Sequence, residues 1–374
     1  MSQVSNGLYH FHGDQNVVEG IPLKEQRKEI GFFIRRQLLT NNLNFLMGSG
    51  CSFSAIPSMG DTFKEVKPKL NTTAMGRYID EDNDDIEDYL NWLNTALKFL
   101  EEASESKEKI EDFKMNFMMT KEALIDSIKV DYEANMPVMD LYRDFYNEVF
   151  SARGNKDYSP VNIFTTNYDL FNEMALEKSN IRYSNGFRGT INRVFDPSEF
   201  QFRLVDDLNR YKDKWSIVRK FVKLYKIHGS IDWYYDLKSQ NVMQKSLTDN
   251  DTENVLIYPT INKHLETQQT PYSELFREFT TNLQKSNSTL IVLGYGFPDQ
   301  HINQLMSQAL SNEDFTLIIF GDLSEEKIKF FFDKHKNIKN IHLIGGCFSE
   351  DVPFNDGHHF DNIVRYMRGD DIND

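Results

Sequence analysis

The stretch VNIFTTNYDLFNE, residues 161–173, joins a short apolar run to a segment with helical spacing. Between the two parts lie two threonines, Asn167, Tyr168 and Asp169. A buried strand that leads into a helix is typical of α/β sheets, in which ligands bind beyond the carboxyl ends of the strands. The stretch therefore predicts a sheet protein with a binding site at this strand exit.

Six other apolar runs extend this pattern along the chain. Most are continuous rather than alternating, and helical segments separate several of them. Strands with this pattern are usually buried on both faces of a parallel sheet. The sequence therefore predicts an α/β fold with a Rossmann-like, doubly wound, mostly parallel sheet. The runs are LNFLMGSG (43–50), KLYKIHG (223–229), NVLIYPT (254–260), STLIVLGYG (288–296), FTLIIFG (315–321) and NIHLIGG (340–346).

The strand pattern also suggests how the chain is divided. Residues 1–42 predict a polar leader followed by one helix, and residues 43–374 predict the sheet domain. Within that domain, residues 61–150 show helical spacing with few β-branched clusters, which predicts an all-helical insertion. The insertion either contacts a partner or another copy, or simply covers the sheet, and its apolar positions do not decide between these two possibilities.

Composition limits the possible classes of function. The chain has 374 residues, a formal net charge of −15 and only two cysteines, Cys51 and Cys347. The negative charge argues against a surface that binds nucleic acid, and the cysteines form no CxxC pair that would indicate a zinc site. No segment predicts a membrane span or an export signal. We therefore expect a soluble cytoplasmic protein without a metal and without nucleic-acid or membrane partners.

The candidate site residues follow four of the predicted strands. Glycine lets a backbone approach a phosphate closely, and amides at a helix start favour anions. An asparagine amide can bind a ribose hydroxyl or hold a water, and histidine can move a proton near neutral pH. The candidates are Gly48, Ser49, Gly50, Ser52, Asn167, Asp169, His228, Gly294 and Tyr295.

Several of these residues also have a purely structural explanation. Tight turns recruit glycine, and Asp169 precedes a helix that it could cap. Asp299 and His301 open another predicted helix, where capping is again the simpler interpretation. Hydride transfer is disfavoured because a third glycine and an acidic residue after the next strand are missing. The histidines at 10, 12, 358 and 359 are assigned to tails and receive no role.

Taken in order, the four strand exits resemble the motifs of the sirtuin family, which uses NAD on a Rossmann-type sheet. GSGCS (48–52) is similar to the sirtuin phosphate loop, TTNYD (165–169) to Thr-Gln-Asn-x-Asp, KIHGS (226–230) to the catalytic-histidine strand and GYG (294–296) to the Gly-Thr-Ser turn. The similarity extends over about residues 43–346. Protein deacylases of this family carry a four-cysteine zinc ribbon after the histidine, and this chain has no cysteine between Cys51 and Cys347.

Four segments look more similar to the sirtuin-like NAD hydrolases of bacterial antiphage defence, which deplete NAD on infection and lack the zinc ribbon. They are IEDYL (86–90), TTNYDLFNE (165–173), IHGSIDW (227–233) and GYGFPDQHIN (294–303). The size and architecture resemble the sirtuin-like subunit that is encoded beside a HerA-type hexameric ATPase. The resemblance therefore implies an NAD glycohydrolase that forms a homo-oligomer and has a HerA-type partner.

The resemblance also implies roles for the candidate residues. The backbone of residues 48–52 would hold the pyrophosphate, and Asn167 and Asp169 would fix the ribose and the attacking water. His228 would bind a ribose hydroxyl or act as a base, and Gly294 and Tyr295 would line the adenosine side. NAD is then the substrate, with no metal. Two alternatives stay open: an NAD-binding subunit that regulates a partner ATPase or nuclease, and, least favoured, a protein deacylase.

Overall fold

The computed structural model describes residues 7–79, 85–154, 158–212, 214–245, 255–257, 270–350 and 354–369. Its strands are β1 (Leu8–His12), β2 (Gln15–Asn16), β3 (Asn42–Met47), β4 (Val161–Thr165), β5 (Arg182–Ser184), β6 (Phe187–Arg188), β7 (Arg193–Phe195), β8 (Val205–Tyr211), β9 (Lys214–Ile217), β10 (Phe221–Lys226), β11 (Gly229–Asp236), β12 (Asn241–Gln244), β13 (Val255–Ile257), β14 (Ser288–Leu293), β15 (Phe315–Phe320) and β16 (Ile341–Gly346).

Helices connect most of these strands. The α-helices within the described residues are α1 (Leu23–Gln37), α2 (Met59–Val66), α3 (Ile86–Glu102), α4 (Lys107–Ile128), α5 (Met136–Arg153), α6 (Phe171–Lys178), α7 (Tyr272–Leu283), α8 (Gln300–Ala309), α9 (Glu326–His335) and α10 (Phe360–Arg368). A short 3-10 helix, Ser49–Ser52, follows β3. Within the described part of the chain, no helix is long and apolar enough to cross a bilayer.

The main sheet has nine strands in the order β2-β1-β16-β15-β14-β3-β4-β10-β5. The pairs from β16 through β5 are parallel, whereas β1 pairs antiparallel with both β16 and β2. From β3 the chain adds strands on one side and later returns to add β14, β15 and β16 on the other. The Rossmann-like, doubly wound, mostly parallel sheet is therefore confirmed, and its switch point lies between β3 and β14.

Two strands differ from the sequence-based expectation. β1 lies in the segment predicted as a polar leader, and its residues pair in register with β16 from Leu8↔Gly346 to His12↔His342. Its sequence LYHFH contains two histidines, which obscures a strand that is mostly buried. The described part of NVLIYPT forms β13, which pairs antiparallel with β11 in a second sheet, and the rest of that run lies outside the described residues.

That second sheet has five strands in the order β13-β11-β12-β7-β6, and β8 and β9 form a separate two-stranded sheet. The ladders of the second sheet are antiparallel, as expected for strands joined by short turns. β11 begins at Gly229, immediately after His228. The second sheet therefore grows directly out of one of the candidate strand exits.

Apolar side chains cover both faces of the main sheet and form two separate cores. On β3, Phe45 and Met47 belong to the core that contains the α1, α5 and α10 side chains, whereas Leu46 faces the core of α7, α8 and α9. Successive residues of a strand point to opposite faces, so a strand between two helical layers must be apolar throughout. This requirement explains why the central strands appear as continuous apolar runs.

Helices α2 to α5 occupy the connection between β3 and β4, in the region predicted as an all-helical insertion. The last of them, α5, packs on the sheet itself, where Phe145 meets Phe45 edge to face at a centroid distance of 5.0 Å. The first three carry their own aromatic cluster, which includes Phe63, Tyr89 and Trp92. The insertion thus consists of α5, which covers the sheet, and of α2 to α4, which form an additional helical layer with its own aromatic cluster.

Three histidines meet where β1 joins β16. His10 Nε2 and His342 Nδ1 lie 3.1 Å apart, and the His12 ring stacks on His342 at a centroid distance of 4.5 Å. Burial lowers the pKa of His10 to about 4, with a smaller contribution from His12. Burial and the neighbouring imidazoles lower the pKa of His342 to about 2. The first strand is therefore attached to the sheet through imidazole rings that must stay neutral.

We predict that acid destabilises this edge of the sheet. Because the folded-state pKa of His10 is depressed, its contribution to stability is complete above the unfolded pKa of about 6.5 and is lost as the pH falls toward 4. Between pH 6.5 and 5 the loss from one such histidine is about 2 kcal/mol. Urea unfolding midpoints measured from pH 7.5 to 5 should fall, and less so for His10→Gln. A wild-type midpoint that is constant over this range would contradict the prediction.

Candidate functional site

The loops after β3 and β14 meet at the switch point of the sheet. The Gly48 amide donates to Leu293 O and the Gly50 amide to Gly294 O, each at 2.9 Å. A β-carbon on Gly48 would lie 2.5 Å from Gly294 O, and Gly294 itself has a φ of +58°. Glycine is therefore required at these positions because two backbones touch, whatever ligand they bind.

These backbone contacts occupy most of the amide groups that the sequence analysis proposed for binding an anion. In addition to Gly48 and Gly50, the Cys51 amide donates to Gly48 O at 3.1 Å. The exposed Ser49 amide forms no hydrogen bond with the described residues. Ser49 is thus the residue of this loop whose amide and hydroxyl are best placed to meet a ligand phosphate.

We predict that Gly48→Ala destabilises the fold, whereas Gly296→Ala does not. A β-carbon at 296 would have its nearest contact at 3.6 Å, with the Glu325 side chain, which is an ordinary van der Waals distance. At 48 it would overlap backbone, and backbone shifts of this kind cost roughly 1–3 kcal/mol or more. Thermal unfolding of the two variants makes the comparison, and equal midpoints would contradict the proposed backbone contact.

Asn167 and His228, predicted from separate strands, line one cavity of about 450 Å³. Both side chains are largely buried, with exposed fractions of 6% and 8%. Asp169, Ser49 and Ser52 line the same cavity, so five of the nine candidate residues meet there. A cavity of this volume at the carboxyl ends of parallel strands suits a small polar ligand.

Backbone and hydroxyl contacts fix Asn167 in place. The backbone N–H of Asn167 donates to Thr165 Oγ1 at 3.0 Å. The Thr165 hydroxyl in turn donates to Met47 O at 2.9 Å. The side-chain Nδ2 donates to Gly48 O at 3.0 Å and lies 3.4 Å from Ser52 Oγ. The amide nitrogen therefore binds the loop after β3, and the amide oxygen forms no hydrogen bond with the described residues.

Ser52 and Asp169 form an internal network beside Asn167. The Ser52 hydroxyl donates to Asp169 Oδ2 at 3.0 Å and lies 2.9 Å from the Tyr142 hydroxyl. Asp169 Oδ1 accepts the Phe171 amide at 3.0 Å, which is the helix-capping contact that the sequence allowed. Burial raises the pKa of Asp169, opposed mainly by Lys226. Both side chains hold the strand exits together, whatever contact they make with a ligand.

Lys226, at the end of β10, is a residue that the sequence analysis missed. Its ammonium is fully buried and donates to Tyr168 O at 3.2 Å and to Asp169 O, and it lies 3.2 Å from Glu173 Oε1. Burial raises the pKa of Glu173 to about 7, and Lys226 opposes that rise. The lysine therefore fixes the path of the loop that presents Asn167.

We predict that Lys226→Met destabilises the protein by about 3–5 kcal/mol, because it leaves the buried Glu173 carboxyl group without its ion-pair partner and two carbonyls without their donor. Replacing both partners, as in Lys226→Met with Glu173→Leu, should recover part of that loss. Urea unfolding of the two variants and the wild type gives the free energies. The prediction is wrong if the single variant is as stable as the wild type.

Asp299 lies next to His228 in the lining of the cavity. His228 Nε2 lies 3.7 Å from Asp299 Oδ1, and both side chains line the cavity. Asp299 is at the N-cap position of α8, but its side chain makes no capping hydrogen bond. The Tyr295 hydroxyl donates to Asp299 Oδ2 at 3.3 Å. The sequence analysis interpreted Asp299 more simply as a helix cap, whereas in the structure its side chain lies beside the histidine.

The cavity that Asn167 and His228 line, called the first cavity below, is acidic. Its lining contains four carboxyl groups and, among the described residues, no lysine or arginine. Two of the four, Asp85 and Glu87, come from the start of α3 in the helical insertion, as does Ile86, and Ile128 comes from the end of α4. The insertion therefore supplies part of the cavity wall, which its sequence pattern alone could not show.

A second cavity of about 700 Å³ lies on the other side of the loop after β3. Ser49 lines both cavities, and Gly50, Gly294 and Tyr295 line the second. Glu325 lies there too, and burial, with a smaller effect of Asp322, raises its pKa. His358 and His359 line this cavity as well rather than lying in a tail, as the sequence suggested. Because Ser49 lines both cavities, they adjoin at the switch point, and the pair is called the crevice below.

One comparison with known proteins found a family match that covers part of the chain. Residues 161–341 match the family described as a SIR2-like domain, a range that includes Asn167, His228, Gly294, Tyr295 and Asp299. The match supports a sirtuin-like fold, and SIR2-like domains use NAD as a substrate. A comparison with curated proteins gave no match. Within the described residues, no group of three or more His, Cys, Asp or Glu side chains could hold a metal ion.

Proposed function

We propose that this protein is an NAD glycohydrolase that cleaves NAD to nicotinamide and ADP-ribose. The observation that carries the proposal is the shared cavity of Asn167 and His228, each presented by a different strand of the parallel sheet. The SIR2-like match, which covers both residues, supports the use of NAD. The reaction needs the ribose held in place, a developing positive charge stabilised and a water admitted.

The charge of the first cavity supports this choice of substrate. The nicotinamide ring of NAD carries a positive charge, and bond breaking moves that charge toward the ribose. Carboxyl groups in the cavity, among them Asp169 and Asp299, would stabilise this developing cation, and no lysine or arginine of the described residues lines the cavity to oppose them. Nicotinamide leaves as a neutral molecule, so the acidic lining does not retain this product.

The shape of the crevice supports one orientation of NAD. The nicotinamide riboside end would occupy the first cavity, and the adenosine would occupy the second, which is larger and lined by Gly294 and Tyr295. The pyrophosphate would cross between them at Ser49, which lines both cavities. Backbone donors at a helix start are suited to such an anion.

Asn167 and His228 then take complementary roles. Because the Asn167 nitrogen is engaged with Gly48 O, its amide oxygen is the group available to bind a ribose hydroxyl or the attacking water. His228 is the imidazole in the cavity, and histidine is the side-chain type suited to accept a proton near neutral pH. A role in antiphage defence by NAD depletion, assembly into a homo-oligomer and a HerA-type ATPase partner belong to the same proposal, on the strength of the sequence resemblance.

We predict that Asn167→Ala and His228→Ala each lower NAD hydrolysis at least 100-fold, since each removes a group that orients or activates the reactants. Purified protein, alone and together with a HerA-type ATPase, is incubated with NAD. Free nicotinamide and ADP-ribose are measured by chromatography.

His301→Ala is the control, because His301 lines neither cavity and packs on Phe276. It should retain hydrolysis within a few-fold of the wild type. Full activity in both site variants would remove the assigned roles. Binding of NAD by the wild type without any nicotinamide release, with and without the partner, would instead favour a nucleotide-binding subunit that regulates another enzyme.

A further inference from the structure

Asp299 has a geometry that its position in the chain does not explain. Aspartate at an N-cap normally accepts an amide of the following helix, but the carboxylate here makes no such bond to α8. One oxygen lies 3.7 Å from His228 Nε2, and the other accepts the Tyr295 hydroxyl at 3.3 Å. The Asp299 amide in turn donates to the Tyr295 oxygen at 3.3 Å. The carboxylate is thus turned from its own helix toward the histidine.

The tyrosine keeps this carboxylate in position. Tyr295 is buried, and burial raises its pKa well above the usual range, so the hydroxyl stays a donor. The same hydroxyl lies 3.5 Å from Asn303 Oδ1, and Asn303 Nδ2 donates to Phe297 O at 3.0 Å. Asp299 is therefore held from the turn after β14 and from α8, whereas His228 comes from the end of β10.

The other ionisable groups around His228 come from two further elements. Tyr168 lies on the loop after β4, with its ring centroid 6.4 Å from that of His228. Asp169 follows it, and its raised pKa reflects burial. Asp85 and Glu87 line the cavity from the start of α3. Asp299 is distinguished from these groups by its ion-pair distance to the imidazole.

We propose that Asp299 is the positioning residue for His228, and that the two side chains act as a carboxylate–imidazole pair that takes up the proton released during the reaction. A carboxylate at this distance favours the protonated imidazole and the ring orientation that keeps Nε2 toward it. A histidine oriented by a carboxylate is a common arrangement for a general base.

The catalytic part of this inference rests on the proposed function. When water adds to ribose C1′, the bond from C1′ to the nicotinamide nitrogen breaks, and that nitrogen keeps the bonding electron pair. One proton of the water is released, and the His228 ring accepts it while facing Asp299. The proton then passes to solvent, so the products are nicotinamide, ADP-ribose and one proton.

The direct test measures the pKa of His228 by NMR, using proteins with ¹³C-labelled histidine and the His228→Ala spectrum for assignment. Asp299→Asn should lower that pKa by about 1 unit or more, because an opposite charge within about 4–6 Å contributes a shift of this size. Asp299→Ser, which also suits a helix N-cap, is the second neutral variant in case the first does not fold. Asp314→Asn, on the exposed surface, is the control and should cause no shift.

The second readout is the pH dependence of NAD hydrolysis. If His228 is the base, the rate falls on the acid side as the ring becomes protonated, and Asp299→Asn should move that midpoint to lower pH by the same amount while lowering the plateau.

An unchanged His228 pKa in both neutral variants overturns the inference whether or not the protein hydrolyses NAD. Absence of hydrolysis in the wild type with a shifted pKa overturns the proposed function but leaves the pairing of the two side chains intact. A lower rate with an unshifted midpoint also overturns the catalytic part, since it indicates a structural role alone.

Discussion

The organisation of this protein depends on the contact between two backbones at the centre of its main sheet. Beyond β3 and β14 the chain turns in opposite directions, and the two turns touch through Gly48, Gly50 and Gly294 with hydrogen bonds of 2.9 Å. Side chains at these positions would overlap main-chain atoms. Ser49, in the same loop, lines both cavities and lies at the boundary between them.

Around this backbone contact, buried polar groups set the direction of the side chains that face the first cavity. Lys226 binds the carbonyls that follow Asn167, and Ser52 joins Asp169 to Tyr142 on the covering helix α5. Tyr295 and Asp299 connect the turn after β14 to His228. Buried polar groups of this kind are stable only when they are paired, so the network fixes each strand exit relative to the others. Preorganised groups then need little movement when a ligand binds.

Much of the fold could be predicted from sequence because strands buried on both faces must be apolar at every position. That rule identified the strands that carry Asn167, His228 and the glycine turns, and the carboxyl-end rule for parallel sheets grouped those residues at one edge. It failed for β1, where histidines replace apolar residues, and for the described part of NVLIYPT, which lies in an antiparallel sheet. Periodicity indicates burial, but it does not assign a strand to a particular sheet.

The site was predicted less completely, for a related reason. Lys226 lies inside a strand-like run and is normally an exposed residue type, and nothing local shows that three acceptors surround it. Three further lining residues lie far from the strand exits in sequence, and only the tertiary packing of α3 and α4 brings them to the cavity: Asp85, Glu87 and Ile128. Asp299 has the sequence context of a helix cap, and only the orientation of its side chain distinguishes the two roles.

The most direct measurement is a crystal structure of the His228→Ala variant with bound NAD, in which hydrolysis is suppressed and the ligand stays intact. The account predicts that the nicotinamide riboside lies in the first cavity, with its ribose against the Asn167 amide, and that the pyrophosphate crosses at Ser49. NAD bound elsewhere, or bound in this crevice with its adenosine beside Asn167, would contradict it.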